Sequence, residues 1–198
     1  MDTTTKSGVF ARELNLISNN ALRGFIERCL DAAPDYFFEM GASSTGKYHP
    51  AYTLGNGGLI RHTKAAVAIA AELMRLEMYA HIKTDWDYII AALIMHDSCK
   101  KGYPQESQYT TFDHPLAASR FIIDRMNAEN PNDDIFGTMI GHVCALIDSH
   151  MGQWTTDRDG QEILPKPKSA AQKFVHMCDF LASRKFITIT NPDGTPLK

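Results

Sequence analysis

The chain has 198 residues, 44% of them hydrophobic and 22% charged, and a formal net charge of −3 with its histidines neutral. That length supports one substantial core and is short for two, and the composition has neither a low-complexity tract nor an internal repeat. The slight acidity excludes a broad electrostatic footprint for long duplex nucleic acid, while leaving room for a local basic pocket that suits a small anion.

Cys29, Cys99, Cys144 and Cys178 are scattered without a C-x-x-C pair, so neither a zinc ribbon nor a disulfide framework is expected and the thiols read as reduced. No stretch reaches ~18 consecutive apolar residues, and Met1 to Phe10 lacks the apolar segment of a leader. These absences predict a cytoplasmic protein with no membrane partner.

Helical periodicity dominates from the start. Phe10, Leu14, Ile17, Leu22 and Phe25 predict a helix from about Ser7 to Leu30, followed by a loop and short helix to Met40. Gly41 to Gly58 is turn-rich and holds His49 and Tyr52. From Leu59 to Tyr79 the stripe of Ala66, Ile69, Leu73 and Leu76 predicts a second long helix, with His62 on its apolar face. Arg61 sits beside His62 but falls partly outward.

Trp86, Ile89, Ile90, Leu93 and Ile94 form the face of the next helix, and Asp97 projects near the middle of that face just after His96. A carboxylate there loses solvation worth several kcal/mol, and so must be protonated, paired or bound to a cation. The alternative is that Asp97 turns to solvent beside Lys100 and Lys101. Asp113 reads as the N-cap of a helix carrying Leu116, Phe121, Ile122 and Met126, with His114 at its mouth. A further helix from about Asp133 to His150 has Ile135, Met139, Val143, Leu146 and Ile147 on one face, His150 at its centre and His142 toward its edge. Gly152 closes it.

After a loop bearing Trp154, Arg158 and Lys166, the last helix spans about Ser169 to Lys185. Phe174, Val175, Cys178, Leu181 and Ala182 mark its core side, Asp179 lies at the margin, and His176 points away. Ile187 to Thr190 reads as an extended tail and Asn191 to Lys198 as mobile. The fold class expected is all-α, a single-domain helical bundle.

Gathered from five predicted helices, His62, His96, Asp97, His114, His150 and Asp179 offer nitrogen and carboxylate ligands suited to manganese, iron, cobalt, nickel or zinc. They outnumber what a tetrahedral structural zinc needs and leave positions for water and substrate oxygens, which is a catalytic arrangement. Their order and spacing resemble the HD-domain superfamily of metal-dependent phosphohydrolases, with His62, His96-Asp97, His114, His150 and Asp179 at the matching places. HDSCK from His96 to Lys100 is similar to the HD-x-x-K form of HD-GYP branches. The segment from His49 to Thr63, and SHMGQ followed by PKPKSAAQKFVHMCDFLASR, are similar to the HD part of bacterial 3′-to-5′ exoribonucleases.

The likeness covers roughly His49 to Lys185, and implies a domain over 41–186 with its metal site at the core, preceded by a helical extension over 1–40 packed on that core and followed by a tail over 187–198. It also implies two divalent ions: His62, His96, Asp97 and Asp179 holding the first, and Asp97 bridging to a second held by His114 and His150. A phosphate ester of a nucleotide or similar small molecule would then be hydrolysed through a metal-activated hydroxide, with Lys100 neutralising a phosphoryl oxygen. The alternatives are a 3′-to-5′ exonuclease or phosphodiesterase on short single strands, and a non-catalytic module that binds metal or nucleotide. His49 and Tyr52 are candidates to contact substrate at the mouth of the site, Arg61 is another candidate for phosphate, and Trp154, Arg158 and Lys166 are candidates to close over the ligand.

Two departures stand out. The resembled branches have tandem histidines where this chain has His150-Met151, so His142 is a candidate substitute or substrate contact, or else polar surface. The OB fold that precedes the exoribonuclease domain has no counterpart in the helical N-terminal stretch, which weighs against processive RNA degradation.

Overall fold

The computed structural model describes residues 5–43, 46–130, 132–187, 189–191 and 193–195. Among them the regular structure is helical: α1 (Ala11–Leu14), α2 (Asn20–Ala32), α3 (Asp35–Glu39), α4 (Gly58–Leu73), α5 (Trp86–Met95), α6 (His114–Glu129), α7 (Asp134–Asp148) and α8 (Ala170–Ala182), with 3-10 turns at Ser7–Phe10, Ala51–Thr53 and Glu77–Asp85. An isolated antiparallel bridge joins Thr156 and Glu162. None of the helices is long and apolar enough to cross a membrane.

α5 is the axis of the bundle. Its segment Ile89–Met95 is apolar on every side and buried throughout, as a helix surrounded by others must be. α2, α4, α7 and α8 pack around it, and α6 packs on α7. Leu14, Ile17, Leu22 and Phe25 belong to the same core as the later helices, so the described residues 5–40 are packed into the bundle. The four cysteines are buried free thiols.

The single helix expected from Ser7 to Leu30 is broken between Leu14 and Asn20. The Asp87 carboxylate takes the backbone N–H groups of Ser18 and Asn19, at 3.0 and 2.7 Å, and Asn19 accepts from Leu22 N, so polar side chains satisfy a fresh helix start. The helix expected to Tyr79 ends at Leu73 and gives way to the 3-10 run. In α7 Val143, Leu146 and Ile147 are buried as expected and Met139 packs against the core, but in the first turn Phe136 is buried edge-on to Phe25 and Ile135 is 80% exposed. Asp113 precedes α6 without capping it through its side chain, lying instead 3.6 Å from Arg120. Asn191, assigned to a mobile tail, is fixed at both ends: it accepts from Arg12 at 2.8 Å and its N–H reaches Thr195 O at 2.8 Å. Thr188, Pro192 and Pro196 to Lys198, also in the expected tail, lie outside the described residues.

Two loops are shaped for the site. Arg61 donates to the carbonyls of Tyr52, Leu54 and Asn56, which uses its guanidinium as a staple for the glycine-rich loop and removes it from the phosphate-binding candidates. Gly58 touches the turn so closely that a Cβ there would lie 2.1 Å from Thr53 O. Before α6, Thr111 N bonds to Lys100 O at 2.9 Å, and Tyr36 Oη accepts from Lys101 N while donating to Gly102 O.

Candidate metal centre

α5 delivers His96 and Asp97 at its C-terminal end, α4 delivers His62 one turn after its start, α6 presents His114 as its first residue, the turn after α7 holds His150, and the last turn of α8 holds Asp179. His62, His96, Asp97, His114 and His150 are buried, and the Asp179 side chain is 18% exposed. Asp97 therefore does not turn to solvent; Lys100 reaches in to meet it, and Lys101 lies over the Tyr36 ring.

The local folding decides which nitrogen each imidazole presents. Nδ1 of His96 lies 2.7 Å from Leu93 O, Nδ1 of His114 lies 2.8 Å from Thr111 O, and Nδ1 of His150 lies 2.8 Å from Ile147 O. A carbonyl only accepts, so each Nδ1 carries a proton and each Nε2 is the inward atom, the one whose lone pair a cation would take. The inward atoms meet at the carboxylates. His62 Nε2 is 2.9 Å from Asp179 Oδ1 and 3.8 Å from Asp97 Oδ2; His96 Nε2 is 3.5 Å from both. His114 Nε2 is 3.2 Å from Asp97 Oδ1 and His150 Nε2 is 4.0 Å from it.

Two ligand groups arise, His62, His96 and Asp179 in one and His96, Asp97 and His150 in the other, each with its ligand atoms within 4.8 Å of one another. His96 Nε2, His114 Nε2 and Asp97 Oδ1 are buried without a hydrogen-bond partner. Inward-facing acceptors with few donors between them are what a buried cation requires, so the residues present fit a metal ion. Without one, protons and Lys100 must supply the positive charge. Burial alone would lower the basicity of His96, but Asp97 and Asp179 beside it push its pKa up to about 10. Burial opposes ionisation of the two carboxylates, yet Lys100, His96 and His114 hold Asp97 well below the usual range, and His62 and His96 do the same for Asp179. His150 goes the other way, down to about 3, through burial and the neighbouring charge of His96.

His62, Asp97, His114, His150 and Asp179 line a cavity of about 260 Å³ that also takes in His49, Lys100, Trp154 and Phe180, with His96 buried behind it. His49 stands 5.6 Å from His62, ring centre to ring centre, and burial with His62 and Lys100 nearby lowers its pKa to about 4. A larger cleft of about 660 Å³, between the outer face of α4 and the N- and C-terminal segments, holds none of the ligand atoms.

Three sequence-based placements need correction. Tyr52 does not line the cavity: it packs against the core with its hydroxyl buried and unpartnered, because the Arg61 staple fixes its backbone. His142 is exposed in another cleft, 5.4 Å from the Tyr88 ring, that holds none of the ligand residues, which is the polar-surface alternative rather than a substrate contact. Lys166 is exposed beside Glu162 at 3.7 Å and reaches neither the cavity nor its mouth.

Sequence reasoning misses His176. Its Nδ1 lies 2.7 Å from the carbonyl oxygen of His150, and its ring fills the space over Gly152, where a Cβ would come within 2.2 Å of it. Its spacing of three from Asp179 on one helix is the available signal. Trp154 lies along Phe180, 5.9 Å away and 17° from parallel, and the Arg184 guanidinium sits 4.1 Å from the Phe180 ring. Comparison of the chain with family models, with curated proteins and with solved structures finds no match, so the centre is read from its own geometry.

Proposed function

We propose that the protein is a metal-dependent phosphohydrolase acting on a phosphate ester of a nucleotide or a similar small molecule. The observation that carries this reading is the set of three imidazoles, each with Nδ1 tied to a backbone carbonyl and Nε2 turned toward Asp97, with His96 also facing Asp179. His62, His96, Asp97 and Asp179 would hold one divalent transition ion, and Asp97, His114 and His150 a second. Bound there, such ions supply Lewis acidity and make hydroxide available as a nucleophile at neutral pH.

The remaining chemistry belongs to the chain. Asp97 is the hub, because His62, His96, His114, His150 and Lys100 all face it. Lys100, its side chain 11% exposed at the cavity wall, holds an ammonium where negative charge grows on a phosphoryl oxygen. His49, neutral at physiological pH, offers a ring nitrogen that is buried without a partner, which suits hydrogen bonding to a phosphate oxygen or its ester.

The test is to strip the protein, reload it separately with manganese, iron, cobalt, nickel and zinc, count bound ions by mass spectrometry, and assay a nitrophenyl ester, nucleoside monophosphates and a 5′-labelled oligonucleotide. Bound ion and ester hydrolysis are expected, with Asp97→Asn folded and slower by at least about a hundredfold. Laddered shortening of the oligonucleotide would give the same chemistry to short single strands. Silence across all substrates with ion demonstrably bound would overturn the reading.

A further inference from the structure

The metal cavity does not end at its ligands. A second cleft of about 500 Å³ opens from it across Thr110, His114 and Met151, which belong to the walls of both, and runs on to Thr111, Phe112 and Arg158. The first space, about 260 Å³, falls below the ~300 Å³ at which pockets begin to enclose organic ligands, and the second lies within that range. A phosphoryl group seated among the ligands therefore has room for the rest of its molecule on the far side of His114.

The lining states what that remainder is. Phe112 and Met151 are half-buried, line the cleft and do not join the apolar core. Thr111 Oγ1 is buried without a hydrogen-bond partner at the same wall. Asp157 and Asp159 outnumber Arg158, so the cleft repels a run of further phosphates. At the opposite rim Trp154 already has one face along Phe180 and an edge toward His176, leaving it less free to take a ring.

We propose, resting on the phosphate-ester reading, that this second cleft seats the organic arm of the substrate: a planar aromatic group such as a nucleobase with its sugar, in contact with Phe112 and Met151 and hydrogen-bonded by Thr111. Met151, which follows the ligand His150 directly, thus becomes a specificity residue. The preferred substrate carries a single phosphorus next to an aromatic arm, and a nucleoside triphosphate is a poor one.

The experiment uses the whole 198-residue chain, metal-free and labelled with ¹³C at its methionine methyl groups, with the Met151 resonance assigned through Met151→Leu. Free adenosine is titrated in, with glycerol as control, and Trp154 fluorescence is followed in parallel in a Trp86→Phe background, since Trp86 is the other tryptophan of the chain. The Met151 methyl is expected to move upfield and saturate with adenosine alone, and Phe112→Ala to weaken binding about three- to tenfold. In the loaded protein, Phe112→Ala should raise KM for nitrophenyl phosphate by the same factor and leave KM for methyl phosphate unchanged. An unmoved Met151 methyl, or adenosine that perturbs only Trp154, overturns the assignment even where esters are hydrolysed. A Met151 response in a protein that hydrolyses no ester upholds the cleft and overturns the hydrolase.

Discussion

Lys100 Nζ stands 2.5 Å from Asp97 Oδ2, so in the metal-free chain an ammonium occupies one oxygen of the carboxylate on which four imidazoles converge. Removing one partner of a buried pair leaves the other charge uncompensated, at a cost of about 3 kcal/mol. Lys100→Met is therefore expected to lower the melting temperature of the metal-free protein by roughly 6 to 12 °C. Saturating manganese should restore most of that loss, because a cation at the ligands compensates Asp97 directly. Thermal denaturation with and without the ion checks this, and a deficit untouched by metal would mean that Lys100 acts only as a helix-end contact.

His176 and Gly152 are coupled sterically. Gly152 has φ +66°, a left-handed conformation that costs an L-residue about 1 kcal/mol, and the His176 ring occupies the place of a Cβ. Gly152→Ala should destabilise the protein strongly, and markedly less in a His176→Ala background, where only the backbone term remains. His176→Ala alone also releases the His150 carbonyl, and metal affinity is expected to fall about tenfold or more with the fold retained. Denaturant titration of the double-mutant cycle and metal binding to the single variant are the measurements. Additive stability effects would refute the coupling.

Much of this arrangement is legible in the chain. The 3.6-residue spacing fixes an all-helical fold, and Asp97 on the apolar face of α5 announces a buried charge that needs company. The failures have a common origin in contacts between elements. The break before α2 depends on Asp87, sixty-eight residues beyond Asn19, and no local propensity contains it. Ile135 alone leaves the expected buried face of α7, because it lies in the first turn, where Phe136 takes the place against Phe25. Tyr52 and Arg61 look like ligand groups since their residue types suit phosphate and base, yet the loop needs Arg61 to satisfy its carbonyls. His176 looks outward until the turn at Gly152 folds back over it.

Asp87 provides a control that separates scaffold from site. Its carboxylate accepts from Ser18 N, Ser18 Oγ and Asn19 N, tying the N-terminal segment to the start of α5, at the opposite end of that helix from His96. Charge-assisted hydrogen bonds of this kind contribute about 1.5 to 3 kcal/mol. Asp87→Ala is expected to lose about that much stability while binding metal with unchanged affinity, as calorimetry on the two proteins would record. A parallel loss of metal affinity would show that α5 transmits the damage along its length.

Acid should unfold the metal-free protein early, and the sign follows from its histidines. His49 and His150 are held neutral, with pKa values lowered to about 4 and about 3 chiefly by burial, against about 6.5 for an unfolded histidine. As pH falls through 6.5 the unfolded chain takes up protons that the folded chain refuses, so stability declines from there toward pH 4. Asp97 and Asp179, held below the usual carboxylate range, add their loss below about pH 4. His96 has the opposite sign: with its pKa raised to about 10, its contribution is complete below 6.5 and disappears as pH rises through 10. Melting temperatures of the stripped protein should therefore peak near neutrality and fall steeply between pH 6.5 and 4, and His49→Asn should flatten that acid limb. Ion uptake at pH 7 should release a proton from His96, measurable as acidification in weakly buffered solution. A melting temperature level down to pH 4.5 would show that the buried imidazoles gain their protons without strain, and the electrostatic account of the centre would fall with it.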